Sequence, residues 1–232
     1  MVFESEAEQG ISLRQAALVA GFGLLIMAVA APFAEFFVYA RLVVSGDTDA
    51  TVHNMRANGG LLMAGIFSYL LVFICDVLVA WALYLLLIPV NRALSLLTAW
   101  FRLVYTAIAL FALVKLATVY RLIHASDYLA EFGADQLHAQ IALALKAFRY
   151  EWGIGLILFG IHLILLGFLV YRSGYIPKFL GVLLLIAGSA WVIYELGPYF
   201  YPGVDLGYLM IAFSMELVFM AWLLIRGWKI RI

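Results

Sequence analysis

Long apolar runs alternate with short polar segments along the whole chain, and this pattern predicts membrane-spanning helices. Each span needs about 20 mainly apolar residues to cross about 30 Å of hydrocarbon. The runs that satisfy this requirement are 15–42, 61–88, 93–120, 149–171, 177–196 and 206–225. We therefore expect an all-α fold, a single bundle of six transmembrane helices covering residues 1–232.

Two prolines and two intervening segments refine this prediction. The first run is long enough to tilt or to kink at Pro32. Pro177 suits the first turn of the fifth helix, where its missing N–H costs nothing. Ser45–Asp49 has helix-cap chemistry and predicts a short interfacial helix through Met55. The segment 134–146 alternates leucine and isoleucine with polar residues, so it is either an amphipathic surface helix or an extension of the fourth span.

The composition predicts that most of the chain lies in the lipid bilayer. It is 67% hydrophobic and 12% charged, against about 45–50% and about 25% in soluble domains. The net charge is zero, which gives no reason to expect nucleic acid as a partner. The lone cysteine, Cys75, excludes an intramolecular disulfide. Glu4, Glu6 and Glu8 precede the first apolar run without any basic residue, so we expect that run to remain in the mature protein.

Lysine and arginine near the span ends predict the orientation, because cytoplasmic loops are enriched in them. One side holds Arg14, Arg92, Arg172, Lys178, Arg226, Lys229 and Arg231. The other side holds Arg41, Arg56, Arg121, Lys146 and Arg149, together with several aspartates. The first side has the excess. We expect a multi-pass protein of a bacterial cytoplasmic membrane with both termini in the cytoplasm.

Four ionisable residues lie deep inside four different spans: Asp76, Arg102, His162 and Glu216. At a rise of 1.5 Å per residue, each lies about 15–18 Å from the same membrane face. An ionisable side chain in a span is expensive and normally faces the bundle interior. The four residues are therefore expected to meet in one layer near the bilayer midplane. Asp76 and Arg102, on consecutive antiparallel spans, form the expected closest pair, with His162 bridging to the remaining carboxylate.

Two interpretations of this central layer stay open. In the first, it is a neutralised structural knot that fixes how the helices pack. In the second, it lines a cavity that binds a polar head group or relays protons.

A weaker candidate binding site lies near the outer face. Glu35, Lys115 and Glu195 occur late in their spans, and tyrosine and tryptophan gather at the same level. Interfacial belts of aromatic residues and lysines that reach toward water explain such a group equally well.

No motif points to a catalytic residue or to a metal site. The chain contains no metalloprotease motif, nucleophile elbow, phosphate-binding loop or dinucleotide fingerprint. His162 is the only histidine well inside a span, so a haem held by two histidines lacks its second ligand. The sequence identifies no cofactor.

Several segments together resemble an uncharacterised bacterial membrane family, domain of unknown function 4386. They are Phe33–Phe37, Cys75–Val77, Pro89–Arg92, Phe101–Leu103, Asp127–Leu129, Gly155–His162 and Arg172–Pro177 with Leu180-Gly181. The family pattern usually has a histidine where this chain has Phe148. The resemblance implies a six-span bundle and supplies no activity.

Three functions are compatible with these observations. The first is a binding or accessory protein, monomeric or a subunit of a larger membrane complex. The second is a small transporter or lipid-head-group binder using the central layer. The third is an intramembrane enzyme acting on a lipid, with His162 as acid or base. We expect the first, with the lipid bilayer and other membrane subunits as partners.

Overall fold

The computed structural model describes residues 11–124 and 133–230, and in this part of the chain the regular secondary structure is all helical. Glu4, Glu6, Glu8, the Asp127–Leu129 segment and Arg231 lie outside the described residues. The helices are α1 (Leu13–Pro32), α2 (Ala40–Leu42), α3 (Thr48–Ala57), α4 (Gly59–Leu87), α5 (Arg92–His124), α6 (Ala134–Arg172), α7 (Lys178–Phe200), α8 (Met210–Phe213) and α9 (Met215–Arg226).

Six helical stretches among the described residues are long and apolar enough to cross a membrane. They are Leu13–Leu42, Gly59–Leu87, Arg92–His124, Asp135–Arg172, Lys178–Phe200 and Gly207–Lys229, called here the first to sixth spans. The predicted all-α, six-span fold is confirmed. The fourth span starts much earlier than expected, because the segment before Arg149 continues the helix instead of forming a separate surface helix.

Local sequence explains the irregular points. Ser12 and Gln15 form a capping box that starts the first span. After Pro32 this span widens into a π-helix, Phe33–Tyr39. Asp47 caps the predicted interfacial helix α3 by accepting a hydrogen bond from the backbone N–H of Ala50 at 2.8 Å. Pro177 lies at the cap position of the fifth span, one residue before the expected first turn.

The spans form a ring in sequence order. Each span packs on the next, and the sixth packs on the first as well as on the fifth, which closes the ring. The joint between the fifth and sixth spans is the least extensive. Only 17% of the most apolar window of the sixth span is buried, against 33–56% in the other five spans.

Glycines bring the backbones of the fourth and fifth spans close together. A Cβ on Gly160 would lie 2.8 Å from the carbonyl oxygen of Gly188. One on Gly181 would lie 2.6 Å from the carbonyl oxygen of Gly167. Both distances are shorter than real contacts, so any larger residue would push the backbones apart. Small residues at helix interfaces are the usual means of close packing in membranes.

Candidate functional site

Arg102 lies inside the bundle and is fully buried. Its Nε and Nη2 both lie close to Oδ1 of Asp76, at 2.8 and 2.7 Å. Nη2 also lies 3.8 Å from the sulfur of Met27, and the guanidinium carbon lies 5.4 Å from the ring centre of Phe159. One side chain of the third span therefore contacts the first, second and fourth spans.

His162 completes the inner part of the layer from the fourth span. Its Nδ1 lies 2.8 Å from the carbonyl oxygen of Thr98, and its Nε2 lies 3.2 Å from Nη1 of Arg102. A carbonyl oxygen only accepts and a guanidinium only donates, so Nδ1 carries the hydrogen and Nε2 accepts. The imidazole is therefore neutral, with both nitrogens occupied.

Glu216 approaches the same guanidinium from the sixth span. Its Oε1 lies 3.5 Å from Nη1 of Arg102, an ion-pair distance, but accepts no hydrogen bond within the described chain. The Glu216 side chain is 18% exposed, whereas those of Arg102 and Asp76 have no exposed surface. Since His162 is neutral, the layer holds one cation and two carboxylates. Glu216 is thus the carboxylate in excess of the single positive charge of Arg102.

The four residues that were expected to meet, because they lie at the same depth, do lie together in the structure. The Asp76–Arg102 contact is confirmed. The expectation that His162 bridges to a carboxylate is wrong, because the Thr98 carbonyl and the guanidinium occupy its two nitrogens. A backbone carbonyl leaves no signal in the sequence. Met27 gives no signal either, since nothing distinguishes it from other apolar residues of the first span.

The outer group is built differently from its prediction. Glu35 accepts hydrogen bonds from the Tyr69 hydroxyl at 2.7 Å and from Nη2 of Arg149 at 2.5 Å. The Arg149 guanidinium also lies 4.5 Å from the ring centre of Tyr39. Sequence reasoning placed Arg149 at a span end and missed this pair. The helical periodicity of residues 134–146 was the available signal, since it carries Arg149 into the fourth helix.

Lys115 and Glu195 take no part in this hydrogen-bonded group. Lys115 lies 3.6 Å from Glu151, whose other carboxylate oxygen is buried without a hydrogen-bond partner in the described chain. The Glu195 carboxylate packs against Gly153. A Cβ on residue 153 would lie 2.6 Å from Oε2 of Glu195, so any larger residue there would displace the carboxylate. Among the described residues, Glu35, Lys115 and Glu195 therefore share no hydrogen bond or ion pair with one another, and their role in binding stays a prediction. No three histidine, cysteine or acidic side chains within residues 11–124 and 133–230 are placed to hold a metal ion.

Comparison with known proteins assigns the chain to a family. The model of the family described as "Domain of unknown function (DUF4386)" matches residues 19–227. The chain belongs to this family. The DUF4386 match extends from within the first span to near the end of the sixth and includes every residue of the central layer, and it confirms the resemblance suggested by the sequence motifs.

One curated relative supports the same assignment. An uncharacterized protein of the archaeon Archaeoglobus fulgidus is 41% identical over 168 residues, which are 72% of this chain and 85% of the relative. No solved structure matches the chain. The relative is archaeal, whereas the motifs suggested a bacterial family.

Proposed function

We propose that this protein is an accessory protein of the membrane that binds a second membrane protein through its sixth span. The observation that carries the proposal is the extra carboxylate. Glu216 is partly exposed on the least buried span, and Arg102 already has Asp76 as its partner. The layer behind Glu216 then has a structural role, and the sixth span is the binding surface.

The geometry of the inner layer favours a structural role. Asp76, Arg102 and His162 are fully buried. A transport site needs a hydrated path to these residues, and complete burial offers none. An enzyme using His162 as acid or base needs one of its nitrogens free, and both are engaged. Burial and hydrogen bonding at Asp76, Arg102 and His162 therefore favour the structural role over both rival functions.

The argument for a partner is electrostatic. A charged residue at the centre of a membrane helix costs about 2.5–3.5 kcal/mol on insertion scales. Arg102 neutralises one carboxylate and leaves the second without a hydrogen bond. Oε1 is buried against Arg102, so a donor side chain of a partner helix packed against the sixth span would bond to the other carboxylate oxygen of Glu216. Leu217 and Val218 are exposed on the other faces of the same helix, where a partner would contact the sixth span.

Photocrosslinking in native membranes tests this proposal. A photoreactive phenylalanine analogue replaces Val218, two residues from Glu216, and in a matched control it replaces Ile74, two residues from Asp76. Both side chains are about half exposed, 45% and 52%, at similar depth. We expect a discrete protein adduct from position 218 and none from position 74.

Three results would contradict the proposal. They are adducts with lipid alone at both positions, an adduct of twice the mass of the chain, and recovery of the protein from native membranes as a lone stable monomer. A second variant separates binding from folding. Glu216→Gln should reduce the adduct several-fold without lowering the thermal stability of the purified protein, and Glu195→Gln should change neither. Loss of stability together with the adduct would instead assign Glu216 to the structural knot.

A further inference from the structure

A cleft of about 630 Å³ opens at the end of the bundle where the fifth span begins and the sixth span ends. Its charged lining residues are Lys178, Arg226 and Lys229, and all three are exposed. Trp222 and Ile230 form an apolar part of the wall. Arg226 lies about 15 Å along the axis of the sixth span from Glu216, so the charged end of the cleft is separate from the carboxylate on which the proposed function depends.

The three cations are not neutralised within the described chain. Across residues 11–124 and 133–230, no carboxylate lies within 4.0 Å of a side-chain nitrogen of Lys178, Arg226 or Lys229. Aromatic rings hold two of them instead. Lys178 Nζ lies 5.6 Å from the ring centre of Tyr171, and Lys229 Nζ lies 4.7 Å from that of Trp228. The cleft therefore has a net positive charge that an anionic ligand would balance.

The walls of the cleft are tied to the rest of the bundle. The Tyr175 hydroxyl donates to the carbonyl oxygen of Leu86 at 2.5 Å, which connects one wall to the second span. Nε of Arg14 donates to the carbonyl oxygen of Ile230 at 3.1 Å, which connects the other wall to the first span. The cleft is thus formed before any ligand arrives, and binding does not require the walls to be ordered first.

We propose that this cleft binds the head-group phosphate of an anionic phospholipid. The cations match the phosphate, and the apolar wall of Trp222 and Ile230 matches the start of the acyl chains. The fifth span begins at Lys178 without a side-chain cap, so its first backbone N–H groups add to the attraction for an anion. Basic pockets between spans at a membrane face are the usual form of such sites.

The test measures lipid retention by the purified full-length chain. The protein is titrated with phosphatidylglycerol and with phosphatidylcholine, and bound lipid is counted by native mass spectrometry. We expect phosphatidylglycerol to bind at least tenfold more tightly. The triple variant Lys178→Gln, Arg226→Gln, Lys229→Gln should lose this preference, at about fivefold per cation removed.

A matched control removes the same charge from the other end of the bundle. Arg41, Arg56 and Arg121 are also exposed, and their triple replacement by glutamine should leave the preference intact. Equal loss in both triple variants would overturn the proposal, as would full retention in the first. Displacement of the lipid by millimolar inorganic phosphate would also overturn it, because free phosphate would then be the ligand. An unfolding scan of each variant verifies that the bundle is intact.

Discussion

The two carboxylates around Arg102 should show strong energetic coupling. Asp76→Asn keeps the side-chain size but removes the charge that holds Nε and Nη2 of Arg102. Removing one partner of a buried ion pair costs about 3–5 kcal/mol when the remaining charge stays uncompensated. Here Glu216, 3.5 Å from Nη1, remains as a second carboxylate. We therefore expect a smaller loss of unfolding free energy, about 2 kcal/mol.

Glu216→Gln alone should cost less than about 0.5 kcal/mol, because Asp76 still neutralises Arg102 and an average interhelical hydrogen bond is worth about 0.6 kcal/mol. The double variant leaves the guanidinium without any carboxylate in the described chain. Its cost should return to the uncompensated range, about 4 kcal/mol. The double-mutant cycle then gives a coupling energy of about 1.5–2 kcal/mol, well above the 0.3–0.5 kcal/mol that separates additive from coupled sites.

Equilibrium unfolding in mixed micelles, followed by tryptophan fluorescence, measures each corner of this cycle. A parallel cycle pairs Asp76→Asn with Glu195→Gln, whose carboxylate lies over Gly153 near the outer face. That cycle should be additive. If the Asp76–Glu216 cycle is also additive, the two carboxylates do not share Arg102, and the charge count on which the proposed function depends is refuted.

Three further predictions follow from other parts of the bundle. Gly188→Ala should cost about 2 kcal/mol, because its Cβ would lie 2.5 Å from the Gly160 carbonyl oxygen, while Gly60→Ala, which meets nothing within 4 Å, should cost nothing in the same unfolding assay. Burial raises the pKa of Tyr175 from 10.0 to about 12. The contribution of the buried, neutral Tyr175 hydroxyl to the free energy of unfolding is therefore complete below pH 10 and is lost between pH 10 and about 12. Tyr175→Phe should reduce this decline in unfolding measurements across that range. A reporter that is active only in the cytoplasm should be active when fused to either terminus. Activity of a reporter that works only outside the cytoplasm would contradict the predicted orientation.

The layer of ionisable residues could be predicted because helix geometry is nearly invariant. A fixed rise per residue converts sequence position into depth. The common depth of Asp76, Arg102, His162 and Glu216 therefore does not depend on the conformation of the loops. Rotation about each helix axis is different, since it depends on packing all around the helix. The expected carboxylate partner of His162 was wrong for this reason, and its actual partner, the Thr98 carbonyl, is a group that every residue possesses.

The outer group shows a second limit. Glu35 was identified from its depth, but its partners Tyr69 and Arg149 were not. Arg149 was expected at a helix end, and the true start of that helix at Ala134 moves it into the middle. Where a helix begins depends on weak competing signals, whereas the existence of a long apolar helix does not.

The position of Asp76 one span before Arg102 bears on how the chain enters the bilayer during synthesis. An isolated arginine is among the least favourable residues to insert. Because the second and third spans are consecutive, they can insert as one hairpin whose positive and negative charges cancel from the start. Glu216 reaches the layer only when the last of the six spans arrives and the ring closes. Insertion in sequence order would therefore pass through a five-helix stage in which the charges of the central layer balance, and Glu216 would add the excess acid last.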